Sequence, residues 1–319
     1  MEIDIIIPCH NSHKTIDRTL GSILCQRVLA SCKITLVRDG GEHYNDIIER
    51  YSPVMNIQEI GYDDNGGPGK ARNYGIKNTK GNFIVFIDSD DCLSNPFSII
   101  NMVNEMYSEP GIVICIADFF EEVQPMVFKR HHEDTTFVHG KMYRRSYLEK
   151  NNILFNEKET SNEDVGFNIL SLLLMGEKDK VKYTNYLAHY WLCNPNSIVR
   201  KNKEIFDSSE SFRTFVKNMG YIYEELEKRG LHNNDNILQE RVASMGRISN
   251  LYFEKTNNHP EFKEENLRVV KDFYKNVYKP YEKYITEELF DVTYDNYPYK
   301  EQFQLPKEEL KQFINSLGE

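Results

Sequence analysis

Two hydrophobic periods alternate along the first 120 residues. Ile3–Pro8 is a nearly continuous apolar run of strand length, and Thr15–Gln26 then places Ile16, Leu20, Ile23 and Leu24 on one side of a helix. The same reading predicts strands over Ile34–Val37, Asn56–Ile60, Phe83–Ile87 and Ile112–Ile116, and helices over Tyr44–Tyr51, Pro68–Asn78 and Pro96–Tyr107. Pro68 sits at a first-turn position, where its missing N–H costs nothing. Fully apolar strands alternating with amphipathic helices predict an α/β fold, with a mostly parallel, Rossmann-like sheet flanked by helices.

The pattern changes twice further on. Residues 125–195 mix short β patterns (Met126–Lys129, Thr136–His139, Lys182–Tyr186, His189–Cys193) with a helix over Asp164–Met175. After Arg200 only the helical period remains. Phe212, Phe215, Val216, Met219, Tyr223 and Leu226 form one stripe, Leu238, Val242, Met245, Ile248 and Tyr252 a second, and Leu267, Val270, Phe273 and Val277 a third. The expected organisation is a catalytic domain over residues 1–202 and an all-helical region over 203–319, with an irregular Tyr-rich end (Tyr294, Tyr297, Tyr299). The helical region is a candidate for acceptor selection, oligomerisation or membrane docking.

Charge narrows the partners. The net charge of −10 argues against a surface that wraps nucleic acid. One basic island stands out: Lys129, Arg130, Lys141, Arg144, Arg145 and Lys150 oppose only three acids, a local +3 that leaves −13 on the remainder. Such an island can face an anionic ligand or be an ordinary solvated face. The six cysteines show no CxxC pair and no zinc spacing, as expected of reduced core thiols. No apolar run is long enough to span a bilayer, and the acidic start Met1-Glu2-Ile3-Asp4 resembles neither a signal nor a transit peptide. A cytoplasmic location, with room for peripheral membrane contact, is the expectation.

Three polar or Gly-rich stretches end predicted strands: "PCHN" (Pro8–Asn11), "RDGG" (Arg38–Gly41) and "DSDD" (Asp88–Asp91). In parallel sheets, ligands bind at that rim. Asp88 and Asp90 offer hard oxygen donors suited to Mg²⁺ or Mn²⁺. A calcium loop counted from Asp88 fails, because Leu93 stands where glycine is needed and Ile99 where glutamate is needed. "GGPGKAR" fails as a P-loop, with Asp64 and Ala71 in place of the required Gly and Ser/Thr. Ser161-Asn162-Glu163-Asp164 fits a capping box with Asp164 at the third helical position.

Four ordered blocks, "IDIIIPCHN", "LVRDGG", "NGGPGKARNYGIKNTKGNFIVFIDSDD" and "GKMYRRSYLEKNNILFNEKETSNEDVGFN", with a closing "HYWLCNPNSIVR", resemble the family 2 glycosyltransferases of the GT-A fold over about the first 200 residues. The resemblance implies a metal-dependent, inverting transfer of sugar from a nucleotide-sugar, a UDP-sugar by preference, to an acceptor hydroxyl. It implies that Pro8, His10 and Asn11 line the base and that Asp39 bonds the base or ribose. Arg72 and Asn73 would support the pyrophosphate and the acidic turn. Asp88 would face ribose and metal beside Ser89, and Asp90 would ligate Mn²⁺ or Mg²⁺. Asp164 would be the catalytic base, and His189 a further metal ligand or phosphate contact. Three positions depart from the family pattern: His10 for an aromatic Tyr, Arg38 for an Asp, and Gly41 for a Ser.

The acceptor stays open between a phosphate-bearing or lipid-linked glycan, ranked first, and a hydroxylated base in DNA. A nucleotidyltransferase would need a Gly-rich basic loop after the first strand, which "PCHNSHKT" lacks. A non-catalytic sugar-nucleotide-binding protein is disfavoured by intact Asp90 and Asp164.

Overall fold

The computed structural model describes residues 2–195, 197, 200, 209–296 and 305–319. The predicted boundary at 202, Tyr297 and Tyr299, and part of the "NPNSIVR" stretch lie outside the described residues. The chain divides into two compact units: Met1–Thr160 with Phe167–Pro195, and Ser161–Gly166 with Asn196–Glu319.

The first unit is built on nine strands: β1 (Ile3–Cys9), β2 (Cys32–Asp39), β3 (Ile57–Tyr62), β4 (Phe83–Phe86), β5 (Cys92–Leu93), β6 (Ile112–Gln124), β7 (Val127–His131), β8 (Lys141–Arg144) and β9 (Lys180–Trp191). Their order is β3-β2-β1-β4-β8-β6-β9-β5, with β7 paired to β6. The first four strands are parallel, as their apolar runs predict. Beyond β4 the sheet turns mixed: β8 runs antiparallel to β4 and β6, and β9 parallel to β6.

Helices cover both faces. Ile16, Leu20 and Ile23 of α1 (Ile16–Leu24) and Ile99, Met102, Val103 and Met106 of α4 (Ser98–Ser108) close one core with Ile3, Ile5, Ile7, Ile34, Leu36 and Val85. Two further helices of this unit are α2 (Asn45–Tyr51) and α3 (Gly67–Asn78). On the face of α3, a Cβ added to Gly75 would meet Ile6 Cγ2 at 2.4 Å, so glycine is what lets helix and strand approach. Aromatic rings fill the neighbouring space: Phe155 stacks on Phe167 at 3.9 Å, and Phe86 packs edge-on to both.

Two β readings need correction. Thr136–His139 forms no strand. The Asp134 carboxylate accepts the Thr136 and Phe137 amides at 2.8 and 2.9 Å and bends the chain there. The strand comes after it, at β8. Lys182–Tyr186 and His189–Trp191 belong to one strand, β9, which ends before Leu192 and Cys193; the predicted interruption coincides with the register shifts where Asp118 meets Leu187.

The basic island is split: Lys141 and Arg145 are buried, Arg144 is half-buried, and Lys129, Arg130 and Lys150 are exposed. Past β8 the short helix α5 (Arg145–Lys150) begins with Arg145, which is buried. Arg145 donates to Asp4 Oδ2, Thr79 Oγ1, Ile76 O and Gly81 O at 2.6–2.7 Å. Lys141 is 1% exposed and pairs with Asp134 at 3.6 Å. Arg130 and His132 both hold the fully buried Asp118, and Arg144 donates to the Ile112 and Met106 carbonyls. Four of the six cations are thus engaged with acids or carbonyls of the fold.

In the second unit all three predicted stripes are inside, with Phe215 and Leu267 half-buried at their margins. Its helices are α7 (Ser211–Lys228), α8 (Asp235–Asn258), α9 (Lys263–Phe273), α10 (Glu287–Asn296) and α11 (Lys307–Ser316), and α6 (Glu163–Leu173) contributes residues to both units. Asn234 caps α8 by accepting the Ile237 amide. Arg241 is fully buried between the rings of Tyr223 and Tyr281, 4.4 and 3.8 Å from their centroids. Among the described residues, no helix is long and apolar enough to cross a membrane.

Removing the guanidinium that serves Asp4 tests this account. Arg145→Met strands a fully buried carboxylate and is expected to cost about 3–5 kcal/mol in urea unfolding. The double substitution with Asp4→Asn should recover part of that loss.

Candidate functional site

β1, β2 and β4 bring their carboxyl ends to one rim. At the end of β1, His10 Nδ1 donates to the Asp39 carbonyl at 2.7 Å. Its Nε2 is therefore the acceptor for Asn11 Nδ2 and Asn65 Nδ2, at 3.1 and 3.3 Å. His10 and Asn11 are exposed, and Pro8 is half-buried. Gly41, at φ +74°, has a steric reason to replace serine: its Cβ would lie 2.5 Å from Asn11 Oδ1. Arg38 is spent on Glu59 and Asp63, so it offers no ribose contact.

Asp39 organises the next loop. Its two oxygens accept the amides of Gly66 and Gly67 at 2.7 and 2.8 Å. This fixes "GGPGKAR" at the start of α3, where Gly67 takes φ +84°. The backbone leaves Asp39 less capacity for a base or ribose than expected. Arg72, on the first turns of α3, is 3% exposed and donates to Asp88 Oδ1 at 2.7 Å. Asn73 is 1% exposed. Its amide clamps Phe155 through both backbone groups and reaches Glu157, all at 2.8–2.9 Å, so it fastens the 155–157 segment.

The acidic turn is pinned on every side. Ser89 Oγ lies 2.7 Å from Ser12 Oγ, tying the turn to the end of β1. Arg18 donates to the Asp90 carbonyl, and Thr19 Oγ1 to the Asp91 carbonyl at 2.7 Å. Asn194 Nδ2 donates to Asp90 Oδ2 at 2.7 Å. The fully buried Asp91 accepts the Leu192 amide at 2.8 Å and faces His189 Nε2 at 3.1 Å. His189 thus meets Asp91 and not Asp90. His139, 4% exposed, lies beside the same carboxylate with Nδ1 at 3.6 Å.

The three carboxylates differ electrically. Burial opposes the charge on Asp88, but Arg72, with His139 and His189, overcomes it and holds the carboxyl below its usual range. Burial raises Asp90; the Asn194 amide tempers this and the Asp88 charge reinforces it. Burial pushes Asp91 up to about 7, against the pull of His189. Arg72 therefore neutralises one acid of the pair, and Asp90 keeps a charge that its surroundings disfavour. A divalent cation is what such an oxygen donor fits.

Asp164 lies in the second unit, in the first turn of α6, and its Oδ1 accepts the Val165 amide at 2.9 Å. α6 starts at Glu163, which moves Asp164 to the second helical position, and Ser161 Oγ is taken by Thr214 at 2.8 Å. The sequence reading gave no role to Ser12, Arg18, Asp91, His139 or Asn194. Asn194 does fall inside the quoted "HYWLCNPNSIVR", which was its one signal.

A family model described as Glycosyl transferase family 2 matches residues 4–163. "Uncharacterized glycosyltransferase EpsJ" of Bacillus subtilis is 28% identical over 224 residues, covering 61% of this chain and 62% of EpsJ. "Poly(ribitol-phosphate) beta-N-acetylglucosaminyltransferase TarS" of Staphylococcus aureus is 26% identical over 205 residues, covering 60% of this chain and 35% of TarS. The matches thus span less than two thirds of either relative. The crystal structure of S. aureus TarS 1-349 in complex with UDP-GlcNAc superposes with a TM-score of 0.67 at 19% identity, over 99% of this chain and 92% of that one. This likeness establishes a shared GT-A fold.

The Arg72–Asp88 pair predicts a pH signature. A carboxyl held low contributes stability that is present above its unfolded pKa and lost as pH falls through its folded one. Arg72→Met should cost about 2 kcal/mol near neutral pH. That difference from the native chain should shrink toward about pH 4, where Asp88 without its partner takes up a proton. Urea unfolding of both proteins at the two pH values measures it.

Proposed function

The chain belongs to glycosyl transferase family 2, and from that membership we propose that it moves a sugar from a UDP-sugar to an acceptor hydroxyl, with inversion at the anomeric carbon. The carrying observation is the acidic turn: Asp88 and Asp90 held at the strand rim by Arg72, Ser12 and Asn194, next to the exposed His10 and Asn11. Pro8, His10 and Asn11 flank the base, with the Asp39-ordered loop beside them. Asp88 takes the ribose through the oxygen that Arg72 does not use. Asp90 holds Mn²⁺ or Mg²⁺, which when bound supplies Lewis-acid neutralisation of the departing diphosphate. Arg72 keeps Asp88 ionised, and Asn194 fixes the rotamer of Asp90, so neither has to reorganise during the reaction. Asp164 accepts the proton of the attacking hydroxyl. A single base with direct displacement implies inversion.

The donor class is supported by a fold neighbour whose structure contains UDP-GlcNAc. For the acceptor we favour a hydroxyl on a polyol-phosphate or other cell-surface glycan, in line with relatives named as poly(ribitol-phosphate) transferases. DNA loses support because four of the island's six cations are engaged by acids or carbonyls of the fold.

UDP release from a panel of UDP-sugars, with and without Mn²⁺, tests the reading. Asp90→Ala should lower the metal-stimulated rate by about 10²-fold or more. Asp164→Asn should abolish acceptor-dependent transfer and leave donor binding intact. Equal UDP release by the native chain and Asp90→Ala would sink the assignment.

A further inference from the structure

Behind the acidic turn lies a second group of donors, to which the reading above gives no part in sugar transfer. Asp91, His139 and His189 are 0%, 4% and 1% exposed, and one ligand atom of each lies within 4.8 Å of the other two. They come from the turn after β4, the bend before β8, and β9. Both imidazoles address one oxygen: His189 Nε2 is 3.1 Å and His139 Nδ1 3.6 Å from Asp91 Oδ2.

His139 Nδ1 is the anomaly. It is enclosed and has no hydrogen-bond partner. If it carries a proton, 3.6 Å is too long for a hydrogen bond to Asp91. If it is bare, its lone pair faces a carboxylate oxygen and is repelled. A cation among the three groups removes both problems. A neutral imidazole is the form that ligates metals. Trp191, Phe119 and Phe137 surround it with ring centroids at 5.2, 5.3 and 6.1 Å, an apolar wall that limits competing water.

We propose that Asp91, His139 and His189 form a buried zinc site, separate from the donor-side cation assigned to Asp90. Two imidazole nitrogens and one carboxylate oxygen suit Zn²⁺, whereas Mg²⁺ and Mn²⁺ favour all-oxygen sets. Tetrahedral ligands about 2.0–2.1 Å from zinc stand roughly 3.3–3.5 Å apart, which the 3.1 and 3.6 Å separations bracket. An ion here joins the acidic turn to β9 and to the approach to β8. The assignment is independent of sugar transfer: it would stand if no UDP-sugar were turned over.

The test uses the full chain expressed with zinc and dialysed against EDTA. Metal analysis should find about one zinc per chain in the native protein and in Asp90→Ala, and at least about tenfold less in His139→Gln. Zinc should raise Tm by about 5 °C in the first two only. X-ray absorption on the native protein alone, which needs no variant to fold, should read two imidazoles and a carboxylate around the metal. A metal-free native protein, a spectrum without two imidazoles, or zinc retained equally by a folded His139→Gln overturns the proposal. The first of these outcomes makes the triad a hydrogen-bonded or water-bridged cluster.

Discussion

Three carboxylates within four residues at the end of a buried strand are the constraint on which the first unit depends. At such separations like charges cannot all stay ionised without distinct compensation. The fold supplies a different partner to each. Asp88 has a guanidinium, Asp90 a side-chain amide, and Asp91 an imidazole with a backbone amide. The order matters because the carboxylate of Asp90 is held by a neutral amide, while the nearby Arg18 guanidinium bonds its backbone carbonyl instead. Asp90 is therefore the position where the local field still favours a cation, although Asp88 is equally acidic in composition.

Supplying those partners dictates much of the nearby architecture. Arg72 reaches Asp88 because α3 begins where it does, and α3 begins there because Asp39 holds the amides of Gly66 and Gly67. Gly67 takes a positive φ, which any other residue would resist. Asn194 and Leu192 reach the turn because β9 runs past β6 and pairs with the two-residue β5 directly after Asp91. The mixed half of the sheet thus brings a late segment of chain back to the rim made by the parallel half.

What the sequence shows and hides follows from how each residue is used. β1, β2 and β4 are legible because strands buried on both faces read as unbroken apolar runs. The acidic turn is legible because unpaired charge after such a run is costly and needs a reason. β8 is hidden because Lys141 and Arg144 look like surface residues, while the fold spends them on Asp134 and on backbone carbonyls. The basic island misleads for the same reason: counting charge does not reveal where the counter-charges lie, and Asp4 is 141 residues from Arg145. Asn73 looks like a donor contact beside Arg72, yet one residue along a helix is about 100° of rotation, enough to aim it at Phe155. His139 and His189 stand 50 positions apart, without any ligand spacing to betray them.

The turn therefore has two sides with different chemistry. Outward, Asp88 and Asp90 present oxygen to solvent-accessible space, the side we assign to the donor's cation. Inward, Asp91 faces two imidazoles in an aromatic enclosure. A turn loaded with charge on its outer side needs a rigid back, because displacement of Asp90 by about an ångström is enough to spoil alignment of a leaving group. Alternation along Asp88-Ser89-Asp90-Asp91 meets that need: adjacent carboxylates point to opposite sides, so the residue that anchors the turn lies next to the residue that works, without sharing its field of ligands.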